Sequence, residues 1–239
     1  MSEAGASALR RALEASHAQA ERPLAAGFPA DALAKLQSFQ RQRLAHSYAD
    51  LLAQPRHAAA ARFFLDELYG GRDAAARDAQ VAGALPIMER TLPGRLQHAL
   101  ADAFRLQGLS LELDIALALG MVETGCQDMT LADYVALYPS VPRSQRVEQI
   151  DLIERLAGEL DRVVHLPLVL GLIVAMRGPA RAAGFAELQA FLERGLRAFR
   201  AMGCADTFTR TIVNRERAAM ERLYAGDPNP FAAEDQSGA

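Results

Sequence analysis

Charged side chains of alternating sign follow directly after an aromatic helix end in this chain. They occupy four positions just past a double glycine, Arg72, Asp73, Arg77 and Asp78. Guanidinium groups bind carboxylates and phosphates through paired N–H donors, and the hydroxyl of Tyr69 could add another donor. The cluster could therefore bind an anionic ligand, with His57 from the preceding helix as an acid–base group or ligand.

The same cluster also has a purely structural interpretation. Asp73 and Arg77 are spaced so that their side chains would meet on a helix, and Asp78 could cap the helix that follows. Gly70 or Gly71 can end the preceding helix in the left-handed conformation. Exposed ion pairs of this kind are common and contribute little to stability. We therefore favour an ion-paired corner, and residues 63–78 remain the first place to look for a site.

The histidines raise the question of haem or a metal ion. One axial histidine is enough to hold haem in a helical bundle, and the candidates are His46, His57, His98 and His165. None of them has the clustered spacing of a metal site. Glu14 and His17 match half of a di-iron motif, and the second half is missing. We predict no metal ion and no cofactor, with haem as the one cofactor left open.

No catalytic or nucleotide-binding motif occurs in the sequence. The sequence does not decide whether the protein is an enzyme, and the lack of a catalytic motif favours a protein that is not one. The formal net charge is −3 and the pI is about 6.0, so bulk charge does not favour nucleic acid as a partner. The chain is arginine-rich, with Lys35 as its only lysine, which fits a GC-rich bacterial genome.

The sequence predicts a cytoplasmic protein with no membrane association. Residues 1–20 lack the apolar segment of a secretory signal. The longest apolar run, over 163–176, is too short to cross a bilayer. Cys126 and Cys204 are isolated and are expected to be inert thiols, although a bridge between them stays open at this stage.

Apolar residues recur at helical spacing throughout, and strand-like alternation is absent. We predict an all-α, single-domain bundle of about nine or ten helices. Gly108 is expected to end one helix and Ser110 to cap the next. Thr130 and Asp133 match a capping box, and Gly195 inside an apolar stripe indicates a close helix approach.

The domain organisation follows from the same pattern. Residues 1–29 should form a loosely packed N-terminal helix and a linker, because only Leu9 and Leu13 in that helix are large and apolar. The bundle should span 30–225, followed by a disordered polar tail over 226–239. The helix over 167–177 is apolar all round, so it is expected at the centre of the bundle.

Several segments resemble a group of bacterial proteins of uncharacterised function. They are Phe63–Gly70, the two Arg–Asp pairs, Pro86, Met176–Pro179 and Phe191–Gly195. The resemblance covers roughly residues 55–200 and implies no established activity.

Two functional hypotheses follow for a chain whose function the sequence leaves unknown. The first is a non-enzymatic adaptor or regulator that binds a protein partner or self-associates, since no catalytic constellation is found. The second is a small-molecule binder or enzyme with a pocket between the 56–69 and 167–177 helices, in which haem is the cofactor version. The ligand, partner and oligomeric state lie beyond what the sequence determines.

Overall fold

The computed structural model describes residues 3–68, 83, 85–86, 89, 94–166 and 169–232. These residues form eleven α-helices and no β-strand, which confirms the all-α prediction. The helices are α1 (Glu3–Glu21), α2 (Ala30–Ser47), α3 (Ala49–Ala53), α4 (Pro55–Phe63), α5 (Gly94–Thr124), α6 (Leu131–Leu137), α7 (Arg143–Val164), α8 (Val169–Ala175), α9 (Arg177–Ala182), α10 (Ala186–Met202) and α11 (Asp206–Tyr224). A π-helical turn, Phe64–Leu68, continues α4.

The long helix α5 is the centre of the fold. It runs without a break for 31 residues, so the predicted helix end at Gly108 and cap at Ser110 were wrong. The glycine has a packing role instead. A Cβ at Gly108 would lie 3.1 Å from Cα of Ser16 in α1, closer than nearly all real contacts. Glycine therefore lets the two helices approach each other, and its modest cost in a helix is offset by that packing.

The N-terminal helix α1 packs firmly against α5. Leu9 is 0% exposed and Leu13 is 4% exposed, and both join a cluster with Leu100 and Phe104 of α5. Loose packing was the expectation, because two large apolar residues seemed too few to hold a helix. They suffice since both face α5 and the small residues around them permit close contact.

Two larger core clusters fill the rest of the molecule. The first joins α2, α5, α6, α7 and α11, and the second joins α4 with α10 and the start of α11. A Cβ at Gly195 of α10 would lie 2.7 Å from Cζ of Phe63. The close helix approach predicted at this glycine is therefore confirmed.

The apolar helix expected at the centre lies at the edge of the fold. In α8 only Ile173 is buried, and Leu172 is 51% exposed. The helix is only seven residues long, and the much longer α5 occupies the middle of the fold. No helix in the described part of the chain is long and apolar enough to cross a membrane.

The predicted capping box and polar tail had different outcomes. Thr130 and Asp133 cap the start of α6 reciprocally, as expected. The first part of the expected disordered tail is packed, because the Phe231 ring lies 6.2 Å from that of Tyr134 and under the Arg43 guanidinium. Residues 233–239 lie outside the described residues. Cys126 and Cys204 are both free.

Candidate functional site

The structure describes one of the six site residues that the sequence put forward. His57 in α4 is buried, and its ring centroid lies 5.6 Å from that of Phe208. Its Nδ1 has no hydrogen-bond partner among the described residues. The other five, Tyr69, Arg72, Asp73, Arg77 and Asp78, lie outside the described residues. Whether they converge on a site therefore stays a prediction.

A cavity of about 120 Å³ is lined by residues of α2, α4, α5, α6, α7 and α11. One part of its lining, here called the apolar wall, consists of Leu44, Phe64, Leu65, Leu106, Phe208 and Ile212. The other part, here called the polar wall, consists of Arg43, Tyr48, Tyr134, Arg146, Gln149 and Glu216. An apolar cavity with a few convergent polar groups is the usual form of a small-molecule site.

The π-helical turn after α4 shapes the apolar wall. It begins at Phe64, and π-helical turns occur frequently at functional sites. Two consecutive aromatic residues here have different partners. Phe63 lies 5.2 Å from the Phe191 ring of α10, whereas Phe64 lies 5.7 Å from Phe199 and 6.1 Å from Phe208. Phe63 thus closes the contact with α10, and Phe64 forms cavity wall.

Arg146 is the most deeply buried cation of the polar wall. Arg146 is 3% exposed, and its Nη1 donates a hydrogen bond to Oε1 of Gln149 at 3.1 Å. Gln149 in turn donates to Oγ of Ser110 on α5 at 2.8 Å. The guanidinium also lies 4.5 Å from the centroid of the Tyr138 ring, within cation–π range. These contacts hold Arg146 in one orientation beside the cavity.

Glu216 of α11 forms a second polar group on the wall. Its Oε1 accepts hydrogen bonds from Nη1 of Arg43 and from the Tyr48 hydroxyl, each at 2.6 Å. Burial and the adjacent Glu216 carboxylate raise the pKa of Tyr48 well above its usual value. Tyr48 therefore remains a hydrogen-bond donor at any physiological pH.

The Tyr134 hydroxyl is a buried polar group of the wall for which the described part of the chain provides no hydrogen-bond partner. Tyr134 is 0% exposed, and its hydroxyl has no hydrogen-bond partner among the described residues. Its ring packs between Phe39 and Tyr138, at 5.1 and 5.5 Å. A buried hydroxyl without a partner costs stability, so a ligand or water molecule that accepts a hydrogen bond from it would be stabilised there.

Asp114 of α5 lies in the layer around the cavity and is 4% exposed. Its carboxylate accepts hydrogen bonds from the side-chain amides of Gln40 and Gln37 of α2. Burial raises the pKa of Asp114 to about 6, against the attraction of Arg146 and those two hydrogen bonds, which lower it. Asp114 therefore changes charge close to neutral pH.

The sequence contains a signal for two of these residues. Arg146 precedes Ile150 by one turn, and Glu216 lies one turn after Ile212, both on apolar faces. A polar residue at a core position of an amphipathic helix is rarely buried unless it is paired, so this pattern indicates a buried polar network.

The pocket expected from the sequence is found in part. The segment after Pro55 lines the cavity through Ala61, Phe64 and Leu65, whereas α8 contributes nothing to it. Its place is taken by α5, α7 and α11, because α8 lies at the edge of the fold. His57 packs against Phe208, which lines the cavity, and no histidine is among the described residues of the lining. Within the described residues, no group of three or more His, Cys, Asp or Glu could hold a metal ion.

Comparison with family models gives a match over residues 17–230 to a domain of unknown function, DUF8198. The chain belongs to the DUF8198 family. Membership agrees with the resemblance to an uncharacterised family seen in the sequence. The match to DUF8198 includes every element that lines the cavity, and most of α1 precedes it. No curated protein and no solved structure matches the chain.

Proposed function

We propose that the protein binds a small, mainly apolar molecule with one polar group in the cavity between α2, α4, α5, α6, α7 and α11. The observation that carries the proposal is the unsatisfied Tyr134 hydroxyl in a cavity whose other lining is largely apolar. A buried hydroxyl without a hydrogen-bond partner from the described residues is costly, and a bound polar group would offset that cost.

The size of the cavity limits the ligand class. Its volume of about 120 Å³ is below the range of roughly 300–1,000 Å³ of drug-sized pockets. It is comparable to a cavity of about 150 Å³ that holds benzene in another protein. The proposed ligand is therefore a single-ring aromatic or a short aliphatic compound.

The proposal is tested by measuring the binding of toluene, benzamide and benzoate by calorimetry and thermal shift. We expect saturable binding of at least one of the three and a matching rise in Tm, because a ligand that binds only the folded state stabilises it. The Ala103→Leu variant, which places extra carbons on the cavity lining, should weaken that binding about tenfold or more, equivalent to about 1.4 kcal/mol.

The matched control is Ala32→Leu, an equally half-buried helical alanine that packs against the first core cluster and does not line the cavity. It should leave the affinity unchanged. Equal loss in both variants, or no saturable binding of any probe by the unaltered protein, would refute the proposal.

Three other expectations from the sequence remain proposals that no feature of the cavity supports. Partner binding or self-association, a cytoplasmic location in a bacterium and the absence of a nucleic-acid partner rest on sequence patterns alone. Light scattering of the purified protein decides between a monomer and a self-associated form. Haem binding, with a histidine such as His57 as the axial ligand, is tested by adding haem to the purified protein. A Soret band of bound haem would support it, and its absence would rule it out.

A further inference from the structure

We propose that the cavity takes its ligand as a carboxylate or similar anion, and that one proton enters with it and neutralises Asp114. The inference rests on the proposed function, since it assigns the chemical class of the ligand and a linkage to pH. Three features of the structure carry it: the Arg146 cation and the Tyr134 hydroxyl, which both line the cavity, and the buried Asp114 carboxyl, whose charge interacts with that cation.

The donors on the polar wall suit an anion. Arg146 lines the cavity and is held in place by Gln149 and Tyr138. The Tyr134 hydroxyl, on a ring adjacent to that of Tyr138, has a proton to donate and no partner among the described residues. A carboxylate accepts hydrogen bonds from guanidinium and hydroxyl groups together, and such charge-assisted bonds are stronger than neutral ones.

The charges around the cavity balance before any ligand binds. Arg43 is ion-paired with Glu216, and Arg146 is attracted to Asp114. An anion entering this group would add one uncompensated negative charge to a buried region, which is costly. Protonation of one of the two carboxylates restores the balance, so anion binding and proton binding favour each other.

Asp114 is the better proton acceptor of the two carboxylates. Glu216 accepts hydrogen bonds from the charged Arg43 and from Tyr48. The hydrogen bonds described for Asp114 come from the neutral amides of Gln37 and Gln40, and its charged neighbours among the described residues are Arg146 of α7 and Arg43 of α2. An anion beside Arg146 would oppose the attraction that keeps Asp114 ionised. The bound state should therefore hold the proton to a higher pH than the free state.

The sign of the pH dependence follows. The pKa of Asp114 is about 6 in the free protein and is expected to be higher in the complex. Affinity for an anion should be greatest below about pH 6 and fall by up to tenfold per pH unit above it, as one proton is linked to binding. Affinity for a neutral probe of the same shape should not change over this range.

Calorimetry with benzoate and benzamide at about pH 5.5, 6.5 and 7.5 tests this, since a simple carboxylic acid of pKa about 4 is ionised at each. We expect benzoate to bind more tightly than benzamide, with affinity falling as pH rises. Titration in two buffers of different ionisation enthalpy should show uptake of up to one proton near pH 7. Benzoate binding without pH dependence or proton uptake would overturn the proposal.

The variant Asp114→Asn should bind benzoate with an affinity that no longer depends on pH, because its side chain is neutral throughout. Asp102→Asn, on the outer side of the same helix beside Arg155, is the matched control and should keep the pH dependence. Persistence of the dependence in Asp114→Asn would overturn the proposal. The proton-uptake measurement uses the unaltered protein, so the test stands even if a variant fails to fold.

The outcomes also separate this inference from the proposed function. If toluene or benzamide binds and benzoate does not, the cavity is a ligand site and its ligand is not an anion. If none of the three probes binds, both proposals fail together.

Discussion

Buried polar side chains at core positions distinguish this bundle at the scale of single residues. Asp114 and Arg146 are both almost inaccessible to solvent, and each makes hydrogen bonds to glutamine side chains. Replacing such a network by apolar residues is often neutral or stabilising, so stability alone gives little reason to keep it. A role in binding gives one, and it also accounts for the Tyr134 hydroxyl left without a partner.

The carboxyl of Asp114 makes a testable contribution to stability. Its pKa is raised from 3.8 to about 6 in the folded protein, so the folded state holds the proton more tightly than the unfolded chain. Stability from this group is fully present below about pH 4 and is lost as pH rises through 6. The shift corresponds to a loss of about 3 kcal/mol, at about 1.4 kcal/mol per pKa unit.

Urea unfolding of the wild type and Asp114→Asn between about pH 4 and 8 measures this loss. The wild type should lose stability relative to the variant as pH rises, with the change complete above about pH 7. Asp50→Asn is the contrasting control: Arg215 lowers the pKa of Asp50, so the stability that this carboxylate contributes is present above about pH 4, and the difference from the wild type should stay nearly constant over this range. A constant difference between wild type and Asp114→Asn would contradict the buried-acid assignment.

At the scale of elements, two glycines determine how closely helices pack. Gly108 brings α1 against α5, and Gly195 accepts the ring of Phe63 between α4 and α10. The second contact also orients the π-helical turn, because Phe64 is the next residue and lines the cavity. The shape of the apolar wall therefore depends on a helix contact that lies outside it.

Gly195→Ala should destabilise the protein. Its Cβ would lie 2.7 Å from Cζ of Phe63, so the ring or the helix must move, at a cost of about 1–3 kcal/mol. Gly158→Ala in α7 is the matched control. No atom lies within 4 Å of its added Cβ, so alanine should stabilise that helix by roughly 0.5–1 kcal/mol. Thermal or urea unfolding measures both, and equal effects would show that the Phe63 contact does not matter.

At the scale of the whole molecule, α1 is part of the core although most of it precedes the family match. Leu9 and Leu13 pack against Leu100 and Phe104 of α5. The same helix contributes many residues to the first core cluster, and its Leu96 packs against the second. Removing the first helix would expose this surface of the central helix. The stable unit is therefore longer than the matched segment.

The variant Leu9→Ala tests whether α1 is part of the core. Because Leu9 is 0% exposed, the change should cost about 2–5 kcal/mol through lost burial and the cavity it leaves. Leu24→Ala, just after α1, is the control, since that side chain is 82% exposed and the change should stay within about 0.5 kcal/mol. A small effect of Leu9→Ala on urea unfolding would show that α1 packs too weakly to count as core.

Much of the fold could be predicted from local sequence patterns. The predictions failed where one residue type is compatible with two different local structures. The capping box at Thr130 and the close approach at Gly195 were confirmed because one local rule applied to each. The prediction that Gly108 ends a helix was wrong. Glycine can end a helix or permit close packing of two helices, and the contact with Ser16 of α1 shows that it does the second here. The five residues of the charged corner lie outside the described part and remain predictions.

The sequence by itself determined that the chain is helical and which face of most helices is apolar, because these properties depend on residues three and four positions apart. Only the tertiary structure decided that Arg43, Tyr134, Arg146 and Glu216 surround one cavity with Asp114 behind them. Those five residues come from five helices, α2, α5, α6, α7 and α11, and are spread along the chain from Arg43 to Glu216. Their convergence depends on how the helices pack, and no local spacing encodes it.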